Sequence, residues 1–465
     1  MNGARQRASV VVVGAGPTGW WLARELAVAG VEVRVLEKNV ARDPFVRAMG
    51  IQPRTLEILQ MRGVLECFLE QGRPFPYSNV AGLYPWLSLE GLDTTCPYAL
   101  LLRQSMIEEL LEKSLTELGV QVEHGRQFVG VEPRDGRVLL RLADGAVIEA
   151  SYAVGCDGAH STVRKQAGIG FPGFDTTATY LHADLVLQTP PPGLEDIGFT
   201  WYGHGHGGWI GGGQLPDGQY RLMVADAQSA AVPQHHPVSI EEFRAVLTRI
   251  TGSDLGVHSP SWLSRVGNAS RLAQRYRAGR VFLAGDAAHV HSPFGGRGLN
   301  TGIQDATNLG WKLAAVLRGD AAEDLLETYH AERHPIGEAV IANPMAQTTM
   351  VFDFTPSRAR HRERLPAART PASQPLSRRP NHRAGLRLPP GRSPRPPPDR
   401  HPSSRPDTRL TPHRPALPAA PPHTPRPAKP HRHPRDAPRT RTCAQGSWGY
   451  GRHRRPNGTL DIFLK

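Results

Sequence analysis

Val10 to Val13 is an unbroken valine run behind Ser9, the pattern of a strand buried on both faces. It ends in Gly14-Ala15-Gly16-Pro17-Thr18-Gly19. A helical pattern follows through Ala29 and stops at Gly30. Val31, Val33 and Val35 then alternate with Glu32 and Arg34 as a second strand that ends at Glu37. The chain therefore opens with a β-α-β unit. Pro17 sits in the first helical turn, where its missing N–H is not needed, and Ala23 and Gly30 are small where a helix must approach a sheet.

Further along, Gln104 to Leu118 has the apolar spacing of an amphipathic helix. Residues 121–123, 137–142 and 147–153 read as short strands separated by Asp-Gly turns at 135–136 and 144–145. From Thr176 to about Val266 longer strands dominate, with a Pro216-Asp217-Gly218 turn between 209–213 and 219–224. Ser239 and Glu242 have the spacing of a capping box for a helix over 240–250. After Arg280 a buried strand, 281–284, precedes two helices, 300–317 and 322–334, the second ended or kinked by Pro335. The fold class this implies is α/β: a Rossmann-like domain in two parts, 1–175 and 267–350, with a sheet-rich substrate domain, 176–266, inserted between them.

Composition changes this picture at one end. Residues 356–465 carry 25 Lys and Arg against 5 Asp and Glu, whereas the rest of the chain carries 30 against 37. Of the 43 prolines, 24 lie after Phe354, and no Phe, Trp, Tyr, Val, Ile or Met occurs from 356 to 447. Such a segment has too little apolar surface to offset chain entropy. Residues 351–465 thus read as a disordered tail, or as GC-rich DNA translated in a wrong frame from near residue 357. The net charge of +13 belongs to that tail and not to the body. A nucleic-acid role through the tail stays as a minor alternative, without the interleaved aromatics that would support sequence-specific binding. Four cysteines without zinc-site or C-x-x-C spacing argue against a disulfide scaffold or structural metal. No apolar run reaches a membrane span, so a soluble, cytoplasmic protein without membrane attachment is expected.

The chemistry starts at the first turn. Gly14 permits the tight turn, Gly16 lets backbone N–H groups approach a pyrophosphate, and Gly19 permits close packing, while the helix N-terminus supplies partial positive charge. Glu37, 23 residues after Gly14 and at a strand end, is placed to accept hydrogen bonds from a ribose. These residues point to a dinucleotide without saying which.

Two later segments decide between FAD and NAD. Gly155-Cys156-Asp157-Gly158-Ala159-His160-Ser161-Thr162-Val163-Arg164, and residues 279–313, GRVFLAGDAAHVHSPFGGRGLNTGIQDATNLGWKL, follow the first motif in order. Together the three motifs resemble the single-component FAD-dependent aromatic monooxygenases with a para-hydroxybenzoate-hydroxylase-like fold. The closest resemblance is to hydroxylases of bacterial aromatic polyketide pathways, those of antibiotics and spore pigments. The resemblance implies that Asp157 and Gly158 line the pyrophosphate and the path of the nicotinamide donor. It implies that Gly285 and Asp286 reach the ribityl chain, that Pro293 lies over the flavin, and that Gly296, Gly298 and Asn300 form the loop opening a long helix toward the flavin ring. Arg47 and Gln104 match further FAD contacts. Position 297 is Arg where relatives often have a small or amide residue, and Trp20-Trp21 replaces the usual aliphatic residue.

The implied reaction is NAD(P)H reduction of FAD, formation of a C4a-hydroperoxide with O2, and oxygen transfer to an electron-rich phenolic polyketide. The flavin would carry the chemistry, so no catalytic side chain or metal is assigned. Trp201, Tyr202 and Trp209 are candidates for the wall of an aromatic pocket or for core packing. A flavin-dependent reductase or desaturase that inserts no oxygen is the alternative enzyme class. Oligomeric state is not legible in the sequence.

Overall fold

In the computed structural model, the residues described are 6–42, 48–78, 87–191, 201–205, 207–215, 217–354 and the short strands 453–454 and 460–461. Almost all of the expected tail, and Arg47, lie outside them.

The β-branched and apolar runs of the body assemble into a sheet of eight strands. Val281–Leu283, Val147–Gly155, Gln6–Val13, Val33–Leu36 and Val122–Glu123 lie side by side in that order and run parallel. Val10, Val11 and Val12 are wholly buried, as a strand covered on both faces requires. Because the strands are parallel, their carboxyl ends share one edge. Gly14, Glu37, Cys156 and Gly285 all follow strand ends there, where an open α/β sheet places its ligands.

The hairpin of Phe128–Arg134 with Arg137–Leu142 extends this sheet through antiparallel pairing with Val147–Gly155. Its first strand escapes the sequence pattern because Gly130 and Pro133 interrupt it and only Phe128 is buried.

Two helices bury the sheet's core. Pro17–Val28 packs against Gly298–Leu317, and glycines set how closely. A Cβ on Gly310 would stand 2.6 Å from Glu25 Cβ, and one on Gly302 would collide with Thr18 Oγ1. The Trp20-Trp21 pair fits this seam: both are buried, and Trp21 Nε1 donates to Thr307 Oγ1 at 2.8 Å. Helix propensity alone favours alanine over glycine by about 1 kcal/mol. Gly310→Ala should nevertheless destabilise the protein by about 1–3 kcal/mol, since the two helices must separate. Urea unfolding would check this, and a stabilised variant would show that the helices tolerate the added methyl.

The second sheet is wholly antiparallel. Its order is Trp201–Gly205, Gly208–Gln214, Tyr220–Asp226, Thr179–Val186, His258–Gly267. One face carries Leu181, Ala183, Ile210, Leu222 and Val224 and packs on Phe243, Val246, Leu247 and Ile250 of the Ile240–Thr251 helix. Ser239 Oγ caps that helix by accepting from Glu242 N at 3.2 Å. The capping box is only half formed, because the Glu242 carboxylate turns to Arg265 at 2.6 and 2.8 Å.

Pro335 does not end its helix. After a short 3₁₀ turn at Glu323–Leu326, one helix runs from Glu327 to Val351 through both Pro335 and Pro344. Tertiary packing outweighs the lost hydrogen bonds: Tyr329, Gly337, Val340 and Pro344 are buried, and a Cβ on Gly337 would strike the Tyr276 hydroxyl. Among the described residues, no helix is long and apolar enough to cross a membrane.

Candidate active site

The glycine turn is built from hard contacts. Gly14 has φ +105°, and a Cβ there would lie 2.7 Å from the Cys156 carbonyl carbon. A Cβ on Gly19 would collide with the Gly14 carbonyl oxygen. Gly16 differs: its backbone is extended, and nothing lies within 4 Å of where its Cβ would be. Glu37 braces the turn, its two oxygens accepting from Ala15 N and Asn39 N, each at 2.9 Å.

Beside this turn, the Asp157 carboxylate accepts from Ser161 Oγ at 2.5 Å, Thr162 N at 2.7 Å and Val163 N at 3.1 Å. It thereby satisfies the start of the short Thr162–Gln166 helix. Gly158 takes φ +77° in the same loop. Burial, with Asp157 and Asp305 nearby, pushes the Cys156 thiol well up, so it stays neutral and is no nucleophile. Arg164, the last residue of this motif, crosses to the next one: Nη1 donates to Ala287 O at 2.9 Å, and the guanidinium stacks 3.7 Å over Phe171.

The third motif folds as a 3₁₀ turn, Gly285–Ala287, then a loop, then the Gly298–Leu317 helix. Gly285 has φ +62° and abuts Thr18. The Asp286 side chain is exposed at the turn and has no hydrogen bond among the described residues. Pro293 is exposed, and its carbonyl accepts from Gly296 N at 3.0 Å. Asn300 spends its amide on scaffolding: Oδ1 accepts from Gln52 N at 2.8 Å, and Nδ2 donates to Gly50 O and Gly296 O at 3.2 and 3.0 Å. Gln104 does likewise, Oε1 accepting from Ala48 N at 3.0 Å.

Beneath the turn lies a centre built around Asp305, to which His289 of the third motif hydrogen-bonds. Asp305, wholly buried, accepts from His289 Nε2 at 2.7 Å, Arg333 Nε at 2.7 Å and Gly285 N at 3.2 Å. Burial pushes its carboxyl up, but His289 and Arg333 outweigh that, holding it below the ordinary carboxylate value. Asp305 was visible within the third motif, but nothing in a one-dimensional pattern tells that Arg333, 28 residues later, closes on it.

The structure thus brings Gly14, Gly16, Gly19, Glu37, Asp157, Gly158, Gly285 and Asp286 to the carboxyl edge of one sheet, with Gly296, Gly298 and Asn300 in the loop and helix start that follow. Residues 7–344 match the model of the FAD binding domain family. The chain belongs to the FAD-dependent monooxygenases. The uncharacterized aromatic compound monooxygenase YhjG of Bacillus subtilis is 47% identical over 349 residues, covering 74% of this chain and 69% of that protein. A rifampicin monooxygenase of Streptomyces venezuelae is 44% identical, covering 74% and 71%. Among solved structures, the anhydrotetracycline hydroxylase of Streptomyces rimosus superposes with a TM-score of 0.70 at 41% identity, covering 77% of this chain and 72% of that one. FAD is the cofactor of this family.

Proposed function

We propose that this monooxygenase uses NAD(P)H and O2 to hydroxylate an aromatic polyketide. The observation that carries the reading is the second face of the antiparallel sheet. Tyr180 and Trp209 turn from it toward Phe294 of the loop before the Gly298 helix, with ring centroids 5.6–5.9 Å apart. Trp209 is therefore packed inside an aromatic cluster. The side chains of Trp201 and Tyr202 lie outside the described residues. Along the same face, His182 and the Asp184–Arg221 pair follow Tyr180 and its neighbours, and Gly211 and Gly213 leave bare strand opposite Met223 and Arg221. A flat polycycle suits a floor of bare backbone bounded by aromatic rings at one end and hydrogen-bonding groups at the other. The names of two relatives, rifampicin monooxygenase and anhydrotetracycline hydroxylase, support a polycyclic substrate.

The residues present fit FAD. The open space at Gly16 and the N–H groups of the Pro17–Val28 helix would take the pyrophosphate, and Glu37 would take the ribose. Gly158 and the Asp157-capped loop would border the pyrophosphate. The Asp286 carboxylate, without a protein donor, would take ribityl hydroxyls, with Pro293 and the N-terminus of the Gly298 helix facing the ring system. Bound there, FAD supplies the redox chemistry, accepting a hydride from the nicotinamide and activating O2 for insertion into the substrate ring. The chain's own part is to position both partners, to exclude water with the Tyr180–Trp209–Phe294 cluster, and to stabilise negative charge with the helix N-terminus.

Labelled O2 tests this reading. NAD(P)H oxidation should accelerate when a phenolic polyketide is added, and one labelled atom should appear in the product. Accelerated oxidation with no label in any product across a panel of such phenols would establish the reductase or desaturase alternative.

A further inference from the structure

The Gly298–Leu317 helix begins beside two acceptors that face the same spot. A Cβ on Gly298 would stand 3.7 Å from Asp286 Oδ1 and 3.8 Å from His291 Nε2. The state of the histidine follows from its other nitrogen. Nδ1 lies 2.7 Å from the Ser292 carbonyl oxygen, which can only accept, so Nδ1 carries a proton. In the neutral ring Nε2 is then a bare lone pair, and it is buried without a hydrogen-bond partner among the described residues. A buried acceptor left unmatched costs free energy, so a donor is expected to meet it when the site is filled.

The surroundings favour the neutral ring. Burial is the largest effect and lowers the basicity of His291. The Ser292 carbonyl and Asp286 raise it, and His289 and Arg297 lower it, for a net fall below the ordinary histidine value. The positive end of the helix dipole acts in the same direction.

We propose that His291 Nε2 accepts a hydrogen bond from an O–H or N–H group of FAD, beside the group that Asp286 takes. The proposal rests on the FAD reading above and deepens it. His291 is a binding residue of the cofactor site, and its lone pair is available only while the ring is neutral. FAD binding therefore competes with protonation of His291, and affinity falls as pH drops through the lowered histidine value.

The test titrates apoprotein with FAD, following flavin fluorescence from pH 8 down to the lowest pH at which the apoproteins stay folded, for wild type, His291→Leu and His291→Gln. At pH 8, His291→Leu should bind about tenfold more weakly, while His291→Gln, whose amide oxygen still accepts, should stay within about threefold of wild type. As pH falls through the lowered His291 value, wild-type affinity should decline and that of His291→Gln should not. Circular dichroism of the apoproteins checks the fold, and the pH comparison with His291→Gln decides even where His291→Leu does not fold. Equal FAD affinity in His291→Leu and wild type at pH 8, or an unchanged acid decline in His291→Gln, would overturn the proposal. Failure of wild type to bind FAD at any pH would instead remove the reading beneath it.

Discussion

Gly16→Val should give a folded, colourless protein. Gly16 has φ −91° and ψ 179°, an extended conformation that a residue before proline prefers and that valine adopts without strain. No atom stands within 4 Å of the position its Cβ would take. The apoprotein should therefore lose no more than about 0.5 kcal/mol. The isopropyl group would fill the space through which a pyrophosphate reaches the backbone N–H groups, so FAD affinity should fall on the order of a hundredfold or more. Gly19→Ala makes the contrast. Its methyl would collide with the Gly14 carbonyl oxygen, which belongs to the same turn and cannot rotate away, so the apoprotein itself should be destabilised by roughly 1–3 kcal/mol. Thermal unfolding of both apoproteins, with FAD titrations, separates the effects. A Gly16→Val protein that keeps its FAD would refute the placement of the cofactor.

That contrast shows what the sequence could and could not tell. The three glycines were legible as one motif, because their spacing between a valine run and a helix is a local pattern. Their separate duties were not: Gly14 is held by the backbone of Cys156, some 140 residues away along the chain, Gly19 by the carbonyl of Gly14 itself, and Gly16 faces open space. Strands over 9–13, 147–153 and 281–284 were legible from their β-branched and apolar residues, and Phe128–Arg134 was not, because Gly130 and Pro133 interrupt it and only Phe128 is buried. The helix beyond Pro335 was hidden for a similar reason. Local preference favours a stop there, and the burial of Gly337 under Tyr276, with Val340 and Pro344 beyond it, carries the helix on. Asn300 and Gln104 stood out as part of the third motif and as a helix start, but the backbone of residues 48–52 that their amides hold was not legible, because it lies 56 and about 250 residues away along the chain.

Asp305→Ala should be the most damaging single change beneath the site. Its carboxylate joins three separate pieces of chain: His289 after the Gly285 turn, Arg333 on the following helix, and the Gly285 N–H itself. Alanine leaves the Arg333 guanidinium, largely shielded from water, without its carboxylate, and it leaves His289 buried with no acceptor at either nitrogen among the described residues. Removing one member of a buried, hydrogen-bonded charge pair costs about 3–5 kcal/mol, a large share of a typical domain's stability. Asp305→Asn keeps one acceptor oxygen and should cost less. The pH dependence gives an independent check. The folded-state carboxyl of Asp305 lies below its ordinary value, so its contribution is present above the unfolded value and is lost as pH falls through the folded one. Wild type should therefore lose stability more steeply than Asp305→Asn as pH falls below about 4. Because the same carboxylate holds Gly285 N, both variants should also bind FAD more weakly at neutral pH, as the Asp286 side chain is no longer presented from a fixed turn. Urea unfolding between pH 3 and 7, with FAD titration at pH 7, measures both effects. A cost below about 1 kcal/mol for Asp305→Ala would show that the His289–Asp305–Arg333 centre does not hold the turn in place.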